Sequence, residues 1–566
     1  MPSAPDRRAS LLVFVAVLVA YLPSLGFGFV YDDAALIVDN PRLHSLAGLR
    51  AFWTEDIFAS QGFVSEGNYY RPIVGTWLWF VAQFAGTGGL FWHLGSILWH
   101  ALAALLTFGL GRRLGLGTLA ATAGALFFAL HPLAIQSVAW LSGVTDPMST
   151  SFVLGACLLW LRLRRWRALA LLLLFFAMLS SERAYASVGV LGLLLLLRPQ
   201  DAWRPPFDPR RVATTTALIL LPLAAALGLR SAVGIRLGGA IEGPGHLASI
   251  WTAPVLATEY LQNLLFPVEL SVAYPVLFVD HLQPLSLVLP LLVGAALLWL
   301  AWGDRRRLFF LGAATGLFVT ALDAALLPPD LLIADRYVYP ALPFLGLLLG
   351  DVVHTLMTDG RRRQAAVLVG VVLLPLVALG PTNLWIWEDN LALYTRAHAV
   401  TPEHPKFAMN LSNEQRRRGL GDPDCALLRG AHESAVSGTW PGDDVKTAFN
   451  LGNCLRELER REDALPLYRH AATASNGVFY LARHNLVVSL LELERIEDAW
   501  DEAGLLIQEA PGWPEAWRLR AVTNVRMGRI EQAMNCYRKL LEIAPGDADA
   551  ARKLQTLDGR LAAEPD

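Results

Sequence analysis

Apolar residues in this chain gather into long blocks separated by short polar punctuation. A polar stub with Arg7 and Arg8 precedes an apolar run from about Leu11 to Val30, which ends at Tyr31-Asp32-Asp33. A helix rises about 1.5 Å per residue, so roughly 20 mostly apolar residues cross a bilayer core. Further blocks lie near 91–111, 117–136, 147–161, 168–181, 184–197, 212–229, 284–302, 308–327, 338–356 and 364–386. Arginines cluster between them at Arg112-Arg113, Arg162 to Arg167, Arg198 to Arg211, Arg305 to Arg307 and Arg361 to Arg363. The positive-inside rule places the N-terminus and each cluster in the cytoplasm. A full crossing by the block from Trp251 to Pro267 would put Arg305 to Arg307 on the wrong side, so that block is read as re-entrant or interfacial. The remainder predicts about eleven spans and leaves everything after Trp387 outside, on the face of Asp32 and Asp33. A cleaved signal peptide is disfavoured, because no small-x-small site follows the first apolar core and many spans come after it.

Beyond the last block the pattern changes to a repeat. The segments starting at Phe449, His484 and Trp517 align so that Ala464, Ala499 and Ala533 are equivalent, at steps of 35 and 34 residues, as are Pro511 and Pro545. That period resembles the tetratricopeptide repeat (TPR), with small Ala where two helices of a hairpin meet and Pro closing the second helix. A degenerate repeat is expected from Lys406 to Ser437, and a capping helix from Asp547. The predicted fold class is all-α: a polytopic membrane domain over residues 1–390, then a TPR α-solenoid over 391–566. Such arrays bind peptides or serve as scaffolds, so a protein acceptor or partner is expected.

Composition agrees with the blocks: 54% of residues are hydrophobic, too many for an ordinary soluble protein. The formal net charge of −2 hides an asymmetry, with arginines punctuating the apolar stretches up to about residue 363 and a mixed-charge last third, and no nucleic-acid partner is expected. Only four of the 47 basic residues are lysines, a bias that fits G+C-rich bacterial coding. The four cysteines suggest no disulfide framework. Cys157 lies in an apolar block, and Cys425, Cys454 and Cys536 fall singly in successive helical repeats, so all are read as small buried hydrophobes.

Ionisable residues beside spans are costly unless useful, and by this topology a set of them shares the outer face. Asp32 and Asp33 follow the first span; Glu66, Tyr70 and Arg71 lie later in the same loop; His131 and Asp146 flank the next outer turn. Glu182-Arg183 separates two short blocks, and Asp335-Arg336-Tyr337 occupies the last outer loop before the repeats. Each taken alone reads more readily as an interfacial anchor or a structural ion pair. Nothing among them has the ligand spacing of a metal site, although several outer carboxylates leave room for Mg²⁺ or Mn²⁺. Asn410-Leu411-Ser412 fits the glycosylation tripeptide but is a weak match.

The ordered strings FVYDDAALIVDNPRL, FWTEDIF, NYYRPIVGTWLWF, FWHLGSILWHALAALLTF, HPLAIQSVAWLSGVTDPMSTSF, LSSERAYASVGVLGLLLL and ADRYVYPALPFLGLLLG are similar to those of the transmembrane and TPR repeat-containing (TMTC) protein O-mannosyltransferases. With the repeats, the resemblance covers nearly the whole chain. It implies an inverting GT-C-class enzyme that draws on a polyprenyl-phosphate-linked sugar in the membrane lipid and needs no firmly assigned cofactor. In such enzymes a carboxylate of the first outer loop takes the proton of the acceptor hydroxyl, here Asp32 with Asp33 orienting it or a basic partner. Arg71 and Arg336 are the candidates for the lipid phosphate. Tyr70, Arg183 and Asp335 are further substrate-binding candidates, and Glu182 and His131 are weaker, supporting ones. The sequence departs from the family pattern at Gln136, where an acid is expected, at Val144, where arginine is expected, and at Ser181, where lysine is expected. The expected acceptor is a Ser/Thr hydroxyl of an extracytoplasmic protein, with the chain in the inner membrane and its repeats in the periplasm. Two other readings fit: a glycolipid or cell-wall glycan transferase, and a non-catalytic membrane scaffold for the repeats. A transporter fits less well, because the ionisable residues sit at one face and not near mid-membrane.

Overall fold

A computed structural model describes residues 3–61, 69–86, 88–162, 164–197, 209–235, 246–275, 279–326, 332–437, 443–475 and 478–563. Glu66 and most of the Arg198 to Arg211 cluster lie outside the described residues. The chain divides into two compact units, Met1–Val400 and Thr401–Asp566, ten residues beyond the boundary expected from sequence.

The first unit contains helices α1 (Ala4–Tyr21), α2 (Leu46–Thr54), α3 (Pro72–Ala85), α4 (Leu90–Arg113), α5 (Thr118–Leu130), α6 (Ile135–Ala139), α7 (Thr145–Trp160), α8 (Arg167–Met178), α9 (Ser187–Leu197), α10 (Pro209–Ala232), α11 (His246–Leu265), α12 (Val288–Ala301), α13 (Arg305–Phe318), α14 (Leu342–Thr358), α15 (Arg362–Leu384) and α16 (Asn390–Val400). The described part is otherwise turns, 3₁₀ segments, one π-helical turn and one antiparallel two-residue pair, Tyr274–Pro275 with Leu332–Ile333.

Among the described residues, six helical segments are long and apolar enough to cross a membrane: Ala4–Gly26, Leu90–Arg113, Ala213–Ala232, Pro284–Ala301, Asp335–Thr358 and Arg362–Trp387. A seventh block breaks at Pro132 into a pair bent by 55°. The other four of the expected eleven form helices shorter than a full crossing: α7 of 16 residues, α8 of 12, α9 of 11, and α13 of 14 continued by a 3₁₀ stretch. Twelve residues of helix rise only about 18 Å against a core of about 30 Å. Apolar blocks thus mark buried or lipid-facing helix without fixing where the helix breaks. The block near Trp251 is one continuous helix, α11, and not a re-entrant hairpin. Within the first expected loop an apolar helix, α3, appears that block-counting missed.

Large apolar side chains point outward, among them Leu291 at 64%, Leu292 at 65% and Leu374 at 71% exposure, the inside-out pattern of a protein solvated by lipid. Inside, α5 and α14 touch through backbone. A Cβ on Gly346 would lie 2.3 Å from the Gly124 carbonyl oxygen, so only glycine allows this approach. His100 joins α4 to the same core, its ring nitrogens reaching Tyr339 Oη at 2.7 Å and the Ala129 carbonyl at 3.1 Å.

The second unit is a run of helix hairpins: α17 (Pro405–Arg417) with α18 (Ala426–Val436), α19 (Asp444–Glu457) with α20 (Arg461–Ala474), α21 (Tyr480–Glu492) with α22 (Ile496–Glu509), α23 (Pro514–Arg526) with α24 (Ile530–Ile543), then α25 (Ala548–Ala563). Ala464, Ala499 and Ala533 are fully buried, and Pro511 and Pro545 follow the ends of α22 and α24. One expectation fails here. Cys425 and Cys454 form a disulfide, with Cα atoms 6.0 Å apart across 29 residues of sequence, and are not isolated hydrophobes; Cys157 and Cys536 are free and buried. The pairing joins the degenerate hairpin to α19. It depends on a left-handed turn at Asp424 and Cys425, φ 59° and 56°, that no cysteine spacing announces.

Candidate active site

The first apolar run ends in a reversal. Tyr31 takes a left-handed φ of 54°, costly for a residue with a Cβ, and its N–H donates to Asn390 Oδ1 at 3.0 Å. The two aspartates that follow open a short π-helical turn, Ala34–Val38, and are not equivalent. Asp33 is fully buried. Its Oδ2 accepts from the Val30 N–H at 3.1 Å, and its Oδ1 accepts from the N–H of Ser142 at 2.8 Å and from its hydroxyl at 2.5 Å. Burial drives this carboxyl up to about 7, against the pull of the three hydrogen bonds. Asp33 is therefore the clamp that fixes the turn to the Leu141–Val144 segment after α6. Asp32 is only half-buried, and its charge bears on Asp33.

Aromatic rings and arginines surround this turn. Tyr31 meets Trp140 edge-on at 5.8 Å, and Trp140 stacks on Trp387 at 6.3 Å. The Arg336 guanidinium lies 4.8 Å from the Trp140 ring centre and 4.6 Å from that of Tyr337, and donates to Tyr337 Oη at 3.1 Å. Arg336 makes no ion pair among the described residues. Arg183 sits 3.5 Å from the other ring contact, Tyr337, and the charges of Arg183, Arg336 and Arg71 all act on the buried Asp146, which accepts from Ser137 Oγ at 3.0 Å.

Glu182 is a hub. It accepts from Arg71 Nε at 2.8 Å, from Arg230 at 3.3 Å and from the Tyr70 N–H at 3.2 Å. Burial would raise its carboxyl, but the two guanidinium groups, Arg71 first, outweigh it and hold Glu182 below the usual carboxylate range. Arg71 also stacks on Tyr69 at 4.5 Å.

The structure thus links the Asp32-Asp33 turn through Tyr31 and Trp140 to Arg336, and Arg336 through Tyr337 to Arg183, with the Arg71–Glu182 pair against Tyr69, but assigns other places to three expected residues. The Tyr70 hydroxyl is spent on the Trp53 carbonyl at 3.0 Å, and the tyrosine facing the cluster is Tyr69. Both His131 ring nitrogens are engaged, with the Leu264 carbonyl and the Leu133 N–H, each at 3.2 Å, so this histidine holds the α5–α6 bend. Asp335 accepts from Asn263 Nδ2 at 3.2 Å and Tyr274 Oη at 2.9 Å, tying α11 and the chain after it to the arginine-bearing turn. Gln136, one of the departures, accepts from the Arg336 N–H at 3.0 Å and donates to the Val272 carbonyl at 2.9 Å. Sequence reasoning missed Tyr69, Trp140, Ser142 and Arg230; Tyr69, Trp140 and Ser142 carried a signal, lying within the family-like strings, and Arg230 did not. Among the described residues no group of three or more His, Cys, Asp or Glu is arranged to hold a metal ion.

Comparisons with known proteins follow this geometry. A family model described as tetratricopeptide repeat matches residues 514–547. A protein O-mannosyl-transferase of Caenorhabditis elegans is 25% identical over 73% of this chain and 60% of its own length. Protein O-mannosyl-transferase TMTC3 of Mus musculus is 22% identical over 96% of this chain and 64% of its own length. Protein O-mannosyl-transferase TMTC4 of Homo sapiens is 30% identical over 34% of this chain and 30% of its own. The chain spans 60 to 64% of the first two relatives' length. Among solved structures, the TPR protein YrrB is 16% identical, covering 36% of this chain and 88% of its own with a TM-score of 0.25. MamA is 17% identical, covering 28% of this chain and 89% of its own at 0.23. With apolar helices and a TPR array, the chain is similar along most of its length to the protein O-mannosyl-transferases of the transmembrane and TPR repeat-containing type.

Proposed function

We propose that this chain is an integral-membrane glycosyltransferase that moves a sugar from a polyprenyl-phosphate donor to a hydroxyl of an extracytoplasmic protein. The observation that carries the reading is the division of labour between adjacent carboxylates. Asp33 is buried and bound three times over, while half-buried Asp32 follows Tyr31, whose ring meets the Trp140 ring that the Arg336 guanidinium also contacts. In the step proposed, the acceptor oxygen attacks the anomeric carbon as its proton passes to Asp32, and the carbon–oxygen bond to the lipid phosphate breaks with inversion. Phosphate leaves as an anion, and the fixed guanidinium of Arg336 meets that charge without first giving up a carboxylate partner. Arg71, neutralised by Glu182, keeps the loop in place and is the weaker candidate for phosphate.

The arginine distribution supports a location of the repeats on the side of Asp32. The Cys425–Cys454 disulfide supports that side, since such bonds persist in oxidising compartments such as the bacterial periplasm. On this reading the TPR unit presents protein acceptors or partners, in the inner membrane of a bacterium.

The test is sugar release from radiolabelled polyprenyl-phosphate-mannose and -glucose, with a periplasmic extract as acceptor and with or without Mg²⁺ or Mn²⁺. Asp32→Asn is expected to lose about 10²–10⁴-fold in kcat. Arg336→Gln is expected to lose about 10²–10³-fold. Full transfer by Asp32→Asn would sink the assignment of the base, and no transfer by wild type from either donor would move the function to a scaffold or another donor.

A further inference from the structure

The chain leaves its last long apolar helix through a short segment that reaches both halves of the candidate site. α15 ends at Leu384, a 3₁₀ turn covers Trp385–Trp387, and α16 starts at Asn390. Asp389 caps that helix, its Oδ1 accepting from the Ala392 N–H at 2.9 Å. On the carboxylate side, Asn390 Oδ1 accepts from the Tyr31 N–H, the Glu388 carbonyl accepts from the Gly28 N–H at 3.0 Å, and buried Trp387 stacks on Trp140. A left-handed residue with a Cβ, as Tyr31 is, persists only where its surroundings over-determine it, and these contacts do so.

The same helix reaches the arginine side. Further along α16, roughly 9 Å from Asn390 by helix rise, Arg396 donates through Nε to the Leu270 carbonyl at 2.9 Å and through Nη2 to that of Val268 at 3.4 Å. The stretch it holds carries two links to the Asp335-Arg336 turn. The Val272 carbonyl accepts from Gln136 Nε2, and Gln136 Oε1 accepts from the Arg336 N–H. The Ser271 N–H donates to Tyr274 Oη at 2.8 Å, and that hydroxyl donates to Asp335. Asn383, near the end of α15, secures the same stretch from its other end by donating to the Pro267 carbonyl at 3.1 Å.

We propose that the run from Asn383 to Arg396 is a bracket that sets the two reacting turns against each other, with Asn390 the positioning residue for Asp32 and Arg396 the positioning residue for Arg336. The inference rests on the transfer step proposed above, in which Asp32 takes the proton and Arg336 meets the leaving phosphate, and deepens it by naming what fixes the two in register. Both residues act through others and not on the reacting atoms. Their effect is geometric. A reacting group displaced by about 1 Å loses on the order of 10²-fold in rate, so Asn390, which fixes the base, governs kcat and leaves donor KM nearly unchanged.

Two measurements on the full chain in detergent separate the bracket from the transferase reading. The first needs no substrate. The thiol introduced by Asp32→Cys is alkylated with N-ethylmaleimide and Arg336 is modified with phenylglyoxal, each rate being read by peptide mapping; the native free cysteines, Cys157 and Cys536, are buried. Asn390→Leu is expected to speed alkylation of the introduced thiol about fivefold or more and to leave Arg336 unchanged, and Arg396→Met to do the reverse, because each loosens its own turn. A smaller rise at its own turn, or equal rises at both turns from either variant, would overturn the bracket. The second measurement is sugar transfer. Asn390→Leu is expected to lower kcat about tenfold or more with donor KM within about twofold, and Asn390→Asp, which keeps an oxygen for the Tyr31 N–H, to recover most of that loss. A fall confined to KM, or no recovery with Asn390→Asp, would overturn the role of Asn390. Asn390→Ala replaces the leucine variant if melting temperatures show that the latter does not fold. Labelling as expected in a wild type that transfers no sugar would leave the bracket standing and remove the transferase reading, whereas transfer with labelling unmoved by either variant would remove the bracket alone.

Discussion

Asp32 and Asp33 are identical neighbours in the sequence, and the difference between them is made by residues far away. Ser142, 109 positions on, supplies two of the three hydrogen bonds that bury Asp33, and Asn390 holds the strained Tyr31 that aims the pair. A carboxyl held at about 7 in the folded protein and near 3.8 when unfolded keeps its proton through that interval only in the native state. The unfolded chain therefore binds fewer protons there, and the contribution of Asp33 to stability falls as pH rises from about 4 to about 7, on the order of 4 kcal/mol in all. Asp33→Asn removes the titration, so its melting temperature in detergent should decline less steeply than that of wild type between pH 5 and 8. Its curve should also start lower, because the amide nitrogen faces the Val30 N–H, donor against donor, at a cost of about 1–3 kcal/mol. Parallel curves would show that another group carries the slope. The sequence could nominate the acidic pair and both arginines, but not the roles of Tyr70 and Asp335, which are settled by a carbonyl and by two hydroxyl and amide donors on other elements.

At the level of elements, glycines do two opposite things. Gly124 and Gly346 bring the backbones of α5 and α14 together, so a Cβ on Gly346 has nowhere to go. Gly294 borders empty space. Gly346→Ala is expected to destabilise by about 1–3 kcal/mol, or to prevent assembly of the unit. Gly294→Ala should be neutral or stabilise by up to about 1 kcal/mol, since alanine is the better helix former. Thermal unfolding of the two variants in the same detergent decides this, and the reverse order would refute the close approach. Hydropathy alone could not tell these glycines apart. Blocks of apolar residues did foreshadow the six long apolar segments described in the first unit, though not the continuity of α11, while the break at Pro132 and the short α7, α8 and α9 came from packing and proline, which a window average smooths over.

For the whole molecule, the repeat period was the clearest signal, because equivalent alanines and prolines recur at fixed steps and each step has one structural cause. Arginine positions and an oxidised cysteine pair support the proposed extracytoplasmic side for the repeats, and that side is open to a direct check. In intact spheroplasts, added protease should remove the repeats and leave the first unit in the membrane; repeats that resist until the cells are lysed would invert the topology.

The disulfide also changes how this unit would carry a load. Tension applied along the chain crosses from Cys425 to Cys454 through sulfur and bypasses α18, the segment after it and most of α19. Those 29 residues of separation, at roughly 3.5 Å each when extended, amount to about 100 Å of hidden length. Pulled in a force spectrometer, the oxidised protein should therefore extend about 100 Å less than the reduced one. The stretch between the two cysteines thus stays closed under load, while α17 before it and α20 after it remain free to extend.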